Sequence, residues 1–255
     1  MLCNGLTSEK DRNYPSLFYI YLFMLLRELL IFSSMFSIDN LGERTLNKIA
    51  EFALSSQIDN ADKLTVEIKT DPSQLAKGML NSLAINGQGL VMNKFLRMQE
   101  MRINLTEIAV KPFPALLGNI QLTQPSQGTI DIVFNDSDIE NVFKASLADL
   151  ENIKCKIIDE ENIEISLDLK SKSPIVLRLK PEINEKDIEV KVLKTRADAE
   201  ISPELMTQIL QPLEMLLNLE QFQIDGVSVT IRTIIINRAS VQVGGIANIT
   251  HFPKV

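Results

Sequence analysis

One histidine, two cysteines and no tryptophan occur among the 255 residues, and each scarcity removes a class of function. His251 lies four residues from the last, Val255, where a fixed geometry for a general base is not expected. The residue supply for Ser-His-Asp or Cys-His catalysis is otherwise absent. Cys3 and Cys155 make no disulfide framework, and neither demands an oxidising compartment. Cys155 falls in the alternating stretch Ile153-Lys154-Cys155-Lys156-Ile157, which reads as a strand with the thiol as a small core group.

Charge of one sign is also missing. The net charge is −7, and the whole surplus of acid lies in residues 128–255, since residues 1–127 balance. Without a basic stripe there is no attraction to a phosphate backbone, so nucleic acid is not an expected partner. The same acidity argues against electrostatic docking on anionic lipid, so any peripheral membrane contact is expected to be mainly apolar.

A long uninterrupted hydrophobic run is lacking too. Residues 17–32 are apolar except for Arg27 and Glu28, which interrupt the middle. A membrane span needs about 20 apolar residues, and a central charge costs about 2.5–3.5 kcal/mol on the insertion scale. The flank Glu9-Lys10-Asp11-Arg12 carries no net positive charge, so a signal peptide is poorly matched. Three readings of residues 1–36 stay open: an interfacial or anchoring helix, a packed helix without a membrane role, or a start of translation at Met35. Location follows from the choice, membrane-associated at the cell envelope for an anchor and cytoplasmic otherwise.

What is present is regular patterning, with hydrophobic residues at 45% and enough length to bury a core without metals. From Ser37 the pattern is helical, with Leu41, Thr45, Ile49, Phe52 and Ala53 on one stripe. Leu64 to Ile68 alternates as a strand, and Asp71-Pro72-Ser73 opens a short helix predicted to reach Met79. A long β stretch follows, in which a parity switch between Met98 and Met101 predicts a β-bulge. Strands are predicted at residues 120–122 and 130–134, around a turn at Gln124 to Gly128. Ser137 and Glu140 form a predicted capping box for a helix carrying Ile139, Val142, Phe143, Leu147 and Leu150. Three alternating stretches, at residues 163–169, 175–179 and 188–192, read as an antiparallel meander with a turn from Pro181 to Asp187. Ser202-Pro203-Glu204 starts a second helix, kinked at Pro212. Two final strands span residues 227–237 and 239–249.

Motif searches return structural explanations. Gly87-Gln88-Gly89 has Met92 where a third glycine would complete a nucleotide fingerprint, and marks curvature instead. Asp136 to Glu140 lacks the glycine and distal glutamate of a calcium loop, and fits a helix start. Asp159-Glu160-Glu161 reads as a solvated turn. No carboxylate pair converges, so neither an enzyme nor a cofactor is expected. No internal repeat is visible, and residues 37–255 are predicted to form a single α+β domain built on a long one-sided antiparallel sheet.

Several strings resemble a known family: Ile85-Asn86-Gly87-Gln88-Gly89-Leu90, Met98-Gln99-Glu100-Met101-Arg102-Ile103, Gly118-Asn119-Ile120-Gln121-Leu122, and Asp138-Ile139 opening a helix. They are similar to the bacterial LmeA-like phospholipid-binding family, as is the block from Ile201-Ser202-Pro203-Glu204-Leu205 through Leu219 to Gly226. The resemblance implies a tubular lipid-binding (TULIP-like) fold, a highly curved antiparallel sheet wrapped around amphipathic helices, here with an extra hydrophobic N-terminal helix. It implies a phospholipid or other acyl-chain lipid as partner, for transfer or sensing, and supplies no catalytic residue. The expected lipid-contacting side chains are Leu205, Ile209, Leu213 and Leu216, with Ile165 and Leu167 opposite. A different class of function stays open, a solid-core adaptor that binds a protein through an exposed strand edge or the N-terminal helix.

Overall fold

The structure, a computed structural model, describes residues 44, 47–48, 51, 55, 58–75, 77–92, 96–109, 111, 122–147, 152–168, 174–185, 187–197, 201–218 and 227–250. Expectations for the hydrophobic N-terminal segment, residues 112–121 and His251 fall outside them.

Among the described residues, period-2 alternation produces ten strands. They are β1 (Lys63–Lys69), β2 (Met79–Met92), β3 (Leu96–Ala109), β4 (Ser126–Asn135), β5 (Asn152–Ile157), β6 (Ile163–Asp168), β7 (Ile175–Asn184), β8 (Asp187–Arg196), β9 (Val227–Asn237) and β10 (Ser240–Ile249). The helices whose bounds fall among the described residues are α1 (Pro72–Leu75), α2 (Asp136–Ser146) and α3 (Pro203–Leu217). The α+β class and antiparallel pairing agree with the sequence reading, but the strands divide into two sheets instead of one. The first sheet runs β1-β2-β3-β4-β10-β9, and the second β5-β6-β7-β8. Each buries one face, as in β6, where Ile163, Ile165 and Leu167 point inward and Glu164, Ser166 and Asp168 outward. Helix α2 packs on β3, β4, β5 and α3, while α3 packs on β8, and β7 and β8 meet β9. One apolar core therefore runs through both sheets and the two longer helices.

Local chemistry explains where the elements depart from expectation. Helix α1 stops at Leu75, because Gly78 (φ 75°) reverses the chain and Met79 already begins β2. Strand β4 starts at Ser126, inside the predicted turn, where the Ser126 hydroxyl donates to the Thr106 carbonyl. Strand β7 continues through Pro181 to Asn184, because β6 pairs only as far as Leu179 and nothing on that side requires the missing N–H.

The parity switch in β3 is present, since Met98 and Met101 are both buried, but the register of β2 and β3 does not shift. Gln88 stands opposite Glu100 and Leu90 opposite Met98, so both strands rotate together at Gly89. That residue has φ +59°, and a Cβ there would overlap the Asp62 carboxylate. Register shifts occur elsewhere, between Gly244 and Gly245 on β10 and between Arg178 and Leu179 on β7.

A repeated unit also emerges. The described residues of 44–55 that precede β1 are helical, and Asn47 Oδ1 and Glu51 Oε1 accept from the N–H groups of Ile68 (2.8 Å) and Val66 (3.4 Å). Asp136 Oδ1 and Glu140 Oε2 on α2 accept in the same manner from Ile157 (2.9 Å) and Cys155 (3.4 Å) on β5. The donor–acceptor separations along the chain, 21 and 15 residues, are identical in the two places. Each helix is followed by a four-strand meander, β1 to β4 and β5 to β8.

Candidate functional site

Helix α3 begins as its sequence dictates. The Ser202 hydroxyl accepts from the Leu205 N–H at 3.3 Å, Pro203 occupies the first turn, and Glu204 favours the positive end of the helix dipole. Apolar residues at helical spacing then turn one stripe inward. Ile209 and Leu213 are 0% exposed and Leu216 4%, whereas Leu205 is half-buried at the entrance to the helix. Ile165 and Leu167 on β6 are also 0% exposed. The structure thus brings five of the six expected side chains into one core cluster, with Leu205 packed against its margin.

The neighbours of α3 are β8 and α2, not chiefly β6. Its bed includes Ile188 and Val190 of β8 and Ile139, Val142 and Phe143 of α2, all buried. The even parity of Ile188 and Val190 and the stripe on α2 mark these as inward-facing, but alternation does not reveal which strand a distant helix covers. At side chains with no exposure there is no adjoining space large enough for water, so the core is filled around Ile165, Leu167, Ile209 and Leu213.

Two features weaken the seat of α3. Pro212 lies inside the helix and has no N–H for the carbonyl one turn earlier. Asn218, which ends the helix through a backbone N–H to the Glu214 carbonyl (2.8 Å), is 7% exposed with its Oδ1 lacking a hydrogen-bond partner.

The polar centre of the molecule lies at the start of α2. The N-cap is Asn135, not Ser137: Asn135 Oδ1 accepts from the Asp138 N–H (2.9 Å), and Asp138 Oδ2 accepts from the Asn135 N–H (3.0 Å). Glu140, expected in the capping box, instead pairs with Lys144 and the Cys155 N–H. Asp138 is fully buried and accepts from Arg97 Nη1 of β3 at 2.8 Å, which raises the pKa of the guanidinium. The Cys155 thiol is pushed well above the ordinary thiol range by burial, with Asp136 and Glu140 adding to the effect.

An open cleft of about 490 Å³ lies beside Asp159, Glu160, Glu161, Asn162 and Arg238. The Asp159 carboxylate is held below its usual range, first by the Glu161 N–H and then by the Asn162 side-chain amide. A carboxylate stabilised in its charged form is a poor proton acceptor at neutral pH. Among the described residues no group of His, Cys, Asp and Glu is placed to hold a metal ion, and no helix is long and apolar enough to cross a membrane.

The sequence profile of the LmeA-like phospholipid-binding family matches residues 39–246, most of the chain. No curated protein and no solved structure matches it.

Proposed function

We propose, from the premise that the chain belongs to the LmeA-like phospholipid-binding family, that residues 37–255 act as one non-catalytic lipid-binding unit that lodges acyl chains along α3. The family match is the observation that carries the reading. The tails would lie against Leu205, Ile209, Leu213 and Leu216, with Ile165 and Leu167 deeper in the same core. Because Ile165, Leu167, Ile209 and Leu213 are packed with no free space, tails enter by displacing α3 from β8 and α2. The exchange is feasible energetically. A tail leaving a bilayer is apolar, and the α3 side chains displaced from β8 and α2 would stay against it, so little apolar surface meets water. Pro212 marks the turn of α3 with the fewest backbone bonds to lose. The curved, tubular form implied for the family is the open state, in which the two sheets wrap the lipid and helix together.

Native mass spectrometry of the purified full chain tests this directly. The expected outcome is a retained phospholipid, together with uptake of a fluorescent phospholipid that fills the core. Absence of both overturns the reading.

A second reading, an adaptor that adds a partner's strand to an open edge, has one observation in its favour. Strand β8 is the last in its sheet, and Leu193 on it is 53% exposed. Stable capture of a protein partner, lost in Leu193→Pro and with no lipid bound, would favour it.

A further inference from the structure

The outer face of the second sheet carries charge opposite in sign to that of the chain as a whole. Strand pairing sets Lys156, Glu164, Arg178 and Lys194 in one row across β5, β6, β7 and β8. The adjacent row is Lys154, Ser166, Val176 and Arg196. Both rows face away from the core, because they alternate with the buried residues Cys155, Ile165 and Leu177. Five cations thus stand against one carboxylate in these two rows, with Asp168 opposite Asn152 in the next, in a protein with a net charge of −7.

These cations are not consumed internally. Lys154, Lys156, Lys194 and Arg196 are exposed and have no ion-pair partner among the described residues. Arg178 reaches Glu164 only at 3.9 Å, and its buried Nε has no hydrogen-bond partner. Farther along the same strands the opposite holds. Lys180 is paired with Glu161 and Glu182, and Lys191 with Glu182. The unpaired charge is therefore confined to one end of the face. At a strand spacing of about 4.8 Å, each row is roughly 14 Å long, and the two rows lie about 7 Å apart. That is a close array of mostly like charges, which repel one another unless anions neutralise them.

Apolar groups accompany the array. Val176 lies within it, and Leu193, the extra residue at the bulge of β8 beside it, is exposed. The two rows hold no aromatic side chain on which a nucleic-acid base could stack. Adjacent cationic rows with aliphatic side chains beside them fit an anionic lipid surface, where cations meet phosphate and aliphatic groups enter the headgroup layer.

We propose that the Lys154 and Lys156 rows of the second sheet dock the protein on membranes containing anionic phospholipid. The proposal rests on the lipid-binding reading in that it names the surface from which lipid would be taken or to which it would be given. It also refines the expectation drawn from total charge, which averages over faces that the pleat keeps apart.

The test is co-sedimentation of the full chain with vesicles of phosphatidylcholine containing phosphatidylglycerol, and with vesicles of phosphatidylcholine alone. Binding should require the anionic lipid and fall as salt is raised. The triple variant Lys156→Gln, Lys194→Gln, Arg196→Gln should bind at least about tenfold more weakly, since three cations at the surface lose their attraction. A control variant, Lys63→Gln, Lys69→Gln, Lys77→Gln, should bind as the unaltered protein does. Equal binding by the two variants, equal binding to both vesicles, or binding to a DNA duplex in preference to anionic vesicles overturns the proposal. Native mass spectrometry separates the two readings. The triple variant should still retain lipid, and loss of lipid from the unaltered protein with vesicle docking intact would sink the acyl-chain reading alone.

Discussion

Strands β1 and β5 each open a sheet behind a helix, and in both the outward N–H groups of two alternate residues are taken by side chains one helical turn apart. The acceptors differ: Asn47 and Glu51 at β1, Asp136 and Glu140 at β5. The continuations differ more. The first meander goes on through β10 to β9, which meets β7 and β8, whereas among the described residues no further strand pairs with β8. A strand edge invites pairing with another chain unless it is occupied. The starting edges are blocked by helix side chains, and the far edge of the first sheet abuts the second. One helix-and-meander unit is thus continued in two ways, into a longer sheet whose last strand meets the other sheet, and into a sheet that ends at β8.

Four substitutions would break or sharpen that comparison. The largest effect is expected at Asp138, which ties the first sheet to the helix that opens the second. Asp138→Ala leaves Arg97 without its closest partner and removes half of the capping box, so urea denaturation should register a loss of about 3–5 kcal/mol. A loss below about 1 kcal/mol would mean that the two regions are not joined there. Next come the edge acceptors. Asp136→Ala should cost about 1.5–3 kcal/mol, as for a bond to a charged group, and Asn47→Ala about 0.5–1.5 kcal/mol. Equal losses in thermal unfolding would erase the difference between the two edges.

The smallest effect concerns the contact of α3 with β8. Burial, and then the nearby Glu189 carboxylate on β8, raise the pKa of Glu214. A carboxyl whose folded pKa is raised adds stability below its unfolded value, and this is lost as pH rises through the folded value. Glu214→Gln should therefore raise the Tm at pH 7 by about 1–2 °C and leave it unchanged below about pH 4. A gain that persists in acid would assign the effect to helix propensity instead.

The meander from Ile163 to Val192 was legible because alternation is a local signal, and so was α3, whose cap and first-turn proline adjoin its stripe. The division into two sheets was not. It depends on β4 pairing with β10, a contact between segments about a hundred residues apart that no periodicity encodes. The start of α2 was misplaced for a different reason. Ser137 and Glu140 have the spacing of a capping box, but Asn135 prevails with Asp138, which also meets Arg97 from another strand. For the candidate site, the sequence disclosed which side chains are apolar and inward-facing, but whether they enclose space depends on how finely they interlock. The basic rows were hidden for a related reason, since only register tells which lysines are neighbours.

Cys155 lies where α2 covers β5, with its N–H bonded to Glu140 and its thiol held protonated in the core. In that setting a thiol-modifying reagent reacts only during the intervals when the helix lifts, because both access and ionisation require it. The sulfur is thus a built-in clock for local opening. Peptide-resolved labelling that separates Cys155 from Cys3 would time the breathing of the core without any engineered probe.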